Sequence, residues 1–254
     1  MEDILPRINQ NPGYNIYPSA EQEFGNKNTT TDNIFPESST EFKAVSQFVN
    51  MLIDEFSNSS SPFAKEVKNI FEQARKENNF KIILWDDKEP DGFAVHNPKD
   101  HSIEIKLRKG LFTMFDKAAC AAIIGHEIGH LIEHANRPIQ FQGQHVNSKS
   151  VESFCDIVGQ SLCAHSGYDT TSFEKFFDTL AEIEARKHNC QPKDIDDTYD
   201  KHPAPLYRKK TIQQLPKFSV TKNKDFTPEF IALMSKPTKS HLLSHQISSQ
   251  GKSI

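Results

Sequence analysis

The chain has 254 residues, 36% of them hydrophobic, and a formal net charge of −4. That length is enough to bury one sizeable core, in a single domain with extensions. Its basic residues form no block of the kind that binds nucleic acid, and no apolar run reaches the roughly 18 residues of an integral membrane span. The opening MEDILPRINQ lacks the basic-then-apolar pattern of a secretory signal. The expected compartment is therefore the cytoplasm, or a site reached by export without a cleaved signal, as for an injected bacterial effector. Cys120, Cys155, Cys163 and Cys190 show no CxxC spacing, which argues against a cysteine-built zinc site and for reduced thiols.

Residues 1–40 are rich in Asn, Thr, Ser and Pro and read as an extended or partly disordered arm. Phe42, Val45, Phe48, Val49, Leu52, Ile53 and Phe56 then recur at three- and four-residue spacing, the period of a helix. The Ser57–Ser61 run breaks it, and Pro62 fits the start of a second helix carrying Phe63, Val67, Ile70, Phe71 and Ala74. Phe80–Trp85 has strand composition. Phe93–His96 and Ser102–Leu107 form a hairpin candidate around the turn-rich Asn97-Pro98-Lys99-Asp100. The alternation of Ile103, Ile105 and Leu107 with polar neighbours predicts a half-exposed strand. It is expected at a sheet edge, free to pair with an extended peptide. Asp116 is placed to cap a long helix through Ala135. Further helices are expected over about Lys149–His165, ended by Gly167, and from a Thr170 or Thr171 cap to about His188. A polar loop then leads to His202-Pro203 and a last pair of short helices. The globular domain spans 41–235, and residues 236–254 form a polar, loose tail.

The long helix contains His126-Glu127-Ile128-Gly129-His130. Positions four apart share a helix face, so two imidazoles can aim at one ion. Glu127, beside the first ligand, can reach a water next to the metal rather than the metal itself. The plainer reading, a buried helix with two stray histidines, leaves a costly carboxylate without a purpose. A catalytic zinc site needs a third protein ligand. The pattern with glycine three and histidine six residues further on fails, because Glu133 and Asn136 stand there. His134 lies about 12 Å along the axis from His126, too far to share an ion. Glu152 is the better candidate, with Asp156 four residues on along the same face, suited to orient a ligand histidine. An ordinary solvated acidic face is the alternative for this pair, although Phe154, Ile157, Val158 and Leu162 point to substantial burial.

HEIGH, then Glu152-Ser153-Phe154-Cys155-Asp156, then Gly167-Tyr168-Asp169, then His202-Pro203 with Arg208 six residues on, resemble the ordered motifs of one peptidase family. It is that of the HtpX heat-shock protease and the CAAX prenyl endopeptidase, and the likeness is closest to its soluble members. Asp91-Gly92-Phe93-Ala94 with the strand and Lys109-Gly110-Leu111 that follow is similar to the segment that family places before its HExxH helix. Ser19–Gly25 is similar to the short motif that opens the soluble members. The resemblance implies a gluzincin-like α+β fold, mainly helical, with a small antiparallel sheet before the HExxH helix. It implies one Zn²⁺ per chain held by His126, His130 and Glu152, with Glu127 as acid/base. Asp156, His202 and Arg208 match positions that line or brace the site, and His202 could donate to the oxyanion. Asp91, Phe93, Ala94, Ile103 and Ile105 are the expected substrate contacts. Asp91 and Gly92 depart from the usual asparagine and alanine, and Cys155 replaces a customary alanine. The expected activity is hydrolysis of protein or peptide substrates; the alternative is a zinc-binding interaction module on the same fold without catalysis.

Overall fold

The computed structural model describes residues 34–97, 100–136, 149–196 and 202–214. Most of the arm, the Ser19–Gly25 motif, the second of the two short helices expected at the end, and the tail lie outside them. The architecture is α+β, mainly helical, with a three-stranded sheet ahead of the HExxH helix. Among the described residues no helix is long and apolar enough to cross a membrane.

Helix α1 (Thr40–Ser57) opens on Ser39, whose hydroxyl accepts from the Phe42 N–H at 3.1 Å. It buries Val45, Val49, Leu52, Ile53 and Phe56, the stripe its spacing predicts. Helix α2 (Ala64–Lys76) begins two residues after Pro62 and buries Val67, Phe71 and Ala74. Its Arg75 clasps α1, donating to Asp54 at 2.6 Å and to Asn50 at 2.7 Å. Ahead of α1, Ile34 bridges Trp85 and the Phe35 N–H donates to the Leu84 carbonyl, so the end of the arm lies along the sheet.

Strands β1 (Phe80–Trp85), β2 (Gly92–Asn97) and β3 (Ser102–Arg108) are ordered β1-β3-β2. The β2–β3 pair is antiparallel, the hairpin expected from its turn, but β1 pairs with β3 in parallel. The sheet is therefore mixed rather than antiparallel. The expectation that Ser102–Leu107 forms a sheet edge is also corrected, because β3 has a partner on both sides. Ile103, Ile105 and Leu107 are fully buried, and the strand with the most to hide takes the centre. Ile103 and Ile105 are thus core residues, not substrate contacts. Of the two outer strands, β1 is bridged by Ile34 and β2 packs beside the HExxH helix with no further strand beyond it among the described residues.

A short helix, α3 (Lys109–Met114), follows, and then α4 (Lys117–Asn136), the HExxH helix. Asp116 caps α4 as expected: Oδ1 accepts from the Ala119 N–H at 2.8 Å, while Oδ2 accepts from the Ser172 hydroxyl at 2.9 Å. Helix α5 (Lys149–His165) packs on α4 along more of its length than any other pair. Three glycines, Gly125, Gly129 and Gly159, lie in that contact. A Cβ on Gly129 would lie 2.7 Å from the Cys155 Cα, and one on Gly159 would lie 2.3 Å from the Ala122 carbonyl oxygen. With no side chain between them, the two backbones touch, which brings short acidic side chains of α5 onto the histidines of α4.

Helix α6 (Thr171–His188) has Thr170 at its N-cap as expected, but the Thr170 side chain makes no capping hydrogen bond and Asp169 supplies one instead. Asp169 accepts from the Thr171 N–H at 2.9 Å and from its hydroxyl at 2.7 Å. A 3-10 turn (Pro192–Asp194) and α7 (Pro205–Gln213) complete the described chain, α7 packing on α6 and α5.

Candidate metal centre

His126 and His130 come one above the other on α4, and their Nε2 atoms are 3.2 Å apart. Glu152, one turn into α5, reaches across the glycine contact. Its carboxylate lies 3.4 Å from the His126 Nε2 and 3.6 Å from the His130 Nε2. Glu152 is fully buried, and among the described residues neither of its oxygens accepts a hydrogen bond; its nearest fixed charge is the Arg208 guanidinium, 3.7 Å away. A carboxylate so placed is costly unless a cation faces it.

Asp156 follows one turn later and supports both sides of this arrangement. Its Oδ1 accepts from the His126 Nδ1 at 2.8 Å, which fixes the ring and leaves Nε2 facing Glu152 and His130. Arg208, arriving on α7, grips the same carboxylate with two bonds, Nε to Oδ2 at 2.9 Å and Nη2 to Oδ1 at 2.6 Å. The guanidinium lies over the Phe177 ring, 4.8 Å from its centre, and 3.7 Å from Glu152.

The electrostatics follow from burial and this charge pattern. Burial raises the Glu152 carboxyl, but the His126 contact and the charges of His130 and His202 outweigh it and hold it well below the usual range. Burial likewise opposes ionisation of Asp156, and Arg208 and His126 overcome it. Burial and Arg208 lower His126, yet Asp156 and Glu152 raise it further, to about 9. Glu127 differs. Burial pushes it up to about 7; Asp91 and Glu152 add to the shift, while His126 and His202 oppose it. Its Oε2 accepts from the Ala94 N–H of strand β2 at 3.1 Å, which joins the sheet edge to the centre.

The structure thus brings His126, Glu127, His130, Glu152, Asp156, Arg208 and Ala94 together. His202 is exposed, close enough for its charge to act on Asp91, Glu127 and Glu152. Asp91 accepts from the Gly92 N–H at 2.8 Å and lies 3.8 Å from Arg108. Phe93 alternates to the opposite face from Ala94, where it packs on Trp85 with ring centres 5.4 Å apart. Cys155 was singled out in the sequence only as a small residue, yet its Sγ joins the ring nitrogens of His126 and His130 in a group of donor atoms within 4.8 Å of one another. The available signal was its position three residues after Glu152, on the same helix face.

Two donor sets therefore share the pocket, one with Glu152 and one with Cys155. The Glu152 set fits the better of the two. Ligands held tetrahedrally at about 2.0–2.1 Å from zinc are spaced about 3.3 Å apart, close to the 3.2, 3.4 and 3.6 Å separations found here. The Cys155 thiol is held well above its usual range by burial and by the charges of Glu152, Glu127, Glu133 and Asp156.

A buried His126, a half-buried His130 one helical turn on, a carboxylate from a second helix and a further glutamate beside the first histidine form a donor set of the kind that can hold a metal ion. Residues 64–145 match the model of peptidase family M48, from the start of α2 through the sheet and the whole of α4. The match supports a metallopeptidase of that zinc-dependent family, and it ends before Glu152, Asp156, His202 and Arg208. No curated protein matches the chain.

Proposed function

We propose that the protein is a zinc-dependent endopeptidase of the soluble HtpX-like type, holding one Zn²⁺ through His126, His130 and Glu152. The observation that carries this reading is the fully buried Glu152 carboxylate, which accepts no hydrogen bond among the described residues and faces two histidine Nε2 atoms. When bound, zinc supplies Lewis acidity, polarising a carbonyl and lowering the pKa of water toward neutrality.

The chain's own residues do the rest. Asp156 keeps the His126 proton on Nδ1, and Arg208 keeps Asp156 ionised. Glu127 is anchored through Oε2 by Ala94, so its other oxygen is the one to take a proton from the attacking water. As the new C–O bond forms and the peptide C–N bond breaks, the same carboxyl returns that proton to the leaving nitrogen. A buried carboxyl held beside the reacting water can take that proton and give it back. His202, at the exposed rim, donates to the oxygen that gains charge. The antiparallel ladder turns the backbone groups of Gly92, Ala94 and His96 away from β3. An extended substrate laid along that edge continues the sheet and places its backbone beside Glu127.

The test is Glu127→Gln, which keeps size and polarity but cannot shuttle a proton. The variant is expected to bind zinc as the parent does and to lose casein or peptide-library cleavage by several orders of magnitude. Parent and variant should also be assayed without residues 1–33, so that occlusion by the arm is not mistaken for inactivity. A cleaving Glu127→Gln variant overturns the mechanism; a zinc-loaded parent that cuts nothing, with or without the arm, favours the interaction module.

A further inference from the structure

We propose that Cys155 is a second, thiophilic donor to the metal pocket, so that His126, His130 and Cys155 together take a soft divalent cation such as Cd²⁺. The proposal rests on the metal-centre reading of the preceding subsection and adds to it a ligand that the HExxH and Glu152 pattern does not contain. Three observations carry it. Sγ and the ring nitrogens of both histidines lie within 4.8 Å of one another, near enough for one ion to gather them as the thiol turns about its single torsion. The thiol is free, fully buried and packed on α4 between the two ligand turns, where a Cβ on Gly129 would lie 3.1 Å from it. The neighbouring Glu152 carboxylate is also fully buried with neither oxygen hydrogen-bonded among the described residues, an independent sign that the pocket is built for a cation.

Thiolate, imidazole and carboxylate differ in softness, and the ion chooses among them. A harder borderline ion uses the carboxylate, whereas a softer one gains more from sulfur. Binding through Cys155 forms a metal–sulfur bond, and the thiol proton passes to the buffer. The buried cysteine thus gives this pocket a different order of metal preference from one with alanine at that position.

The experiment titrates the full-length, metal-free protein with Cd²⁺ alone and follows the ultraviolet thiolate-to-cadmium charge-transfer band, with bound zinc measured separately on the same variants. The parent is expected to develop the band up to one equivalent. Cys155→Ala is expected to lose it while still binding one zinc, and Cys190→Ala, which removes the most accessible of the other thiols, is expected to keep it. Glu152→Ala is expected to weaken zinc binding yet retain the cadmium band. A band that persists in Cys155→Ala at one equivalent, or a parent that binds Cd²⁺ with no band, overturns the proposal. Zinc binding that survives Glu152→Ala but not Cys155→Ala would overturn the Glu152 reading and leave the Cys155 donor standing. A parent that binds neither ion overturns both.

Discussion

Asp156 accepts three hydrogen bonds on two oxygens, from two residues: one from His126 and two from nitrogens of Arg208, with no water-exposed surface of its own. Removing its charge leaves the buried guanidinium facing an amide. Breaking a buried ion pair from one side costs about 3–5 kcal/mol, and loss of a ligand's supporting partner lowers metal affinity about 10–100-fold. Asp156→Asn is expected to show both, by denaturant unfolding and by zinc competition against a chelating dye. A variant with parental zinc affinity would remove Asp156 from the account of His126. At this scale much was legible. The four-residue spacings 126/130 and 152/156 each mark one helix face, and facing pairs are what a shared ion requires. Cys155 was only half legible as a donor: its place three residues after Glu152 puts it on that helix face, but the histidines it joins come from α4.

Between elements, the α4–α5 contact sets the site. Adding a methyl group at Gly159, where a Cβ would sit 2.3 Å from the Ala122 carbonyl oxygen, forces the helices apart. Overpacking of this kind costs about 1–3 kcal/mol, and in a domain this size each kcal/mol lowers Tm by about 2–4 °C. Gly159→Ala is expected to melt several degrees lower and to bind zinc more weakly, since Glu152 and Asp156 move with α5. Unchanged melting and zinc content would show that the helices tolerate separation. Helix lengths and the β2–β3 hairpin were legible because they depend on local period and turn chemistry. Strand order was not. The alternation in Ser102–Leu107 records one buried face but says nothing of which strands flank it, and that is settled by contacts far apart in sequence. Helix α3 was missed because six residues, Lys109–Met114, are too few to show a helical period. At α6 the capping bond fell to Asp169, whose carboxylate satisfies both the N–H and the hydroxyl of Thr171.

For the molecule as a whole, a bound ion is a folding ligand. Two helices supply its donors, and the unfolded chain does not present them together, so binding stabilises the native state by RT ln(1 + [L]/Kd). At a free zinc concentration 100 times Kd this amounts to about 2.7 kcal/mol. Chelation is therefore expected to lower Tm by several degrees, with recovery on adding back zinc. The same shift is expected in Glu127→Gln, because Glu127 is not a donor, and it should shrink strongly in Glu152→Ala. A chelator with no effect on the parent's melting would argue against any metal linked to the fold.

The position of Arg208 on the last described helix bears on the order in which the site is assembled as the chain grows. The two imidazoles leave the ribosome early, Glu152 and Asp156 follow, and the guanidinium that holds Asp156 arrives only when α7 closes over α5. Until then Asp156 holds the His126 ring without the guanidinium that offsets its own buried charge. A nascent or truncated chain that stops short of residue 205 carries every donor yet lacks the clasp that sets them. The carboxylate that braces His126 thus gains its own buried counter-charge only from the last described helix.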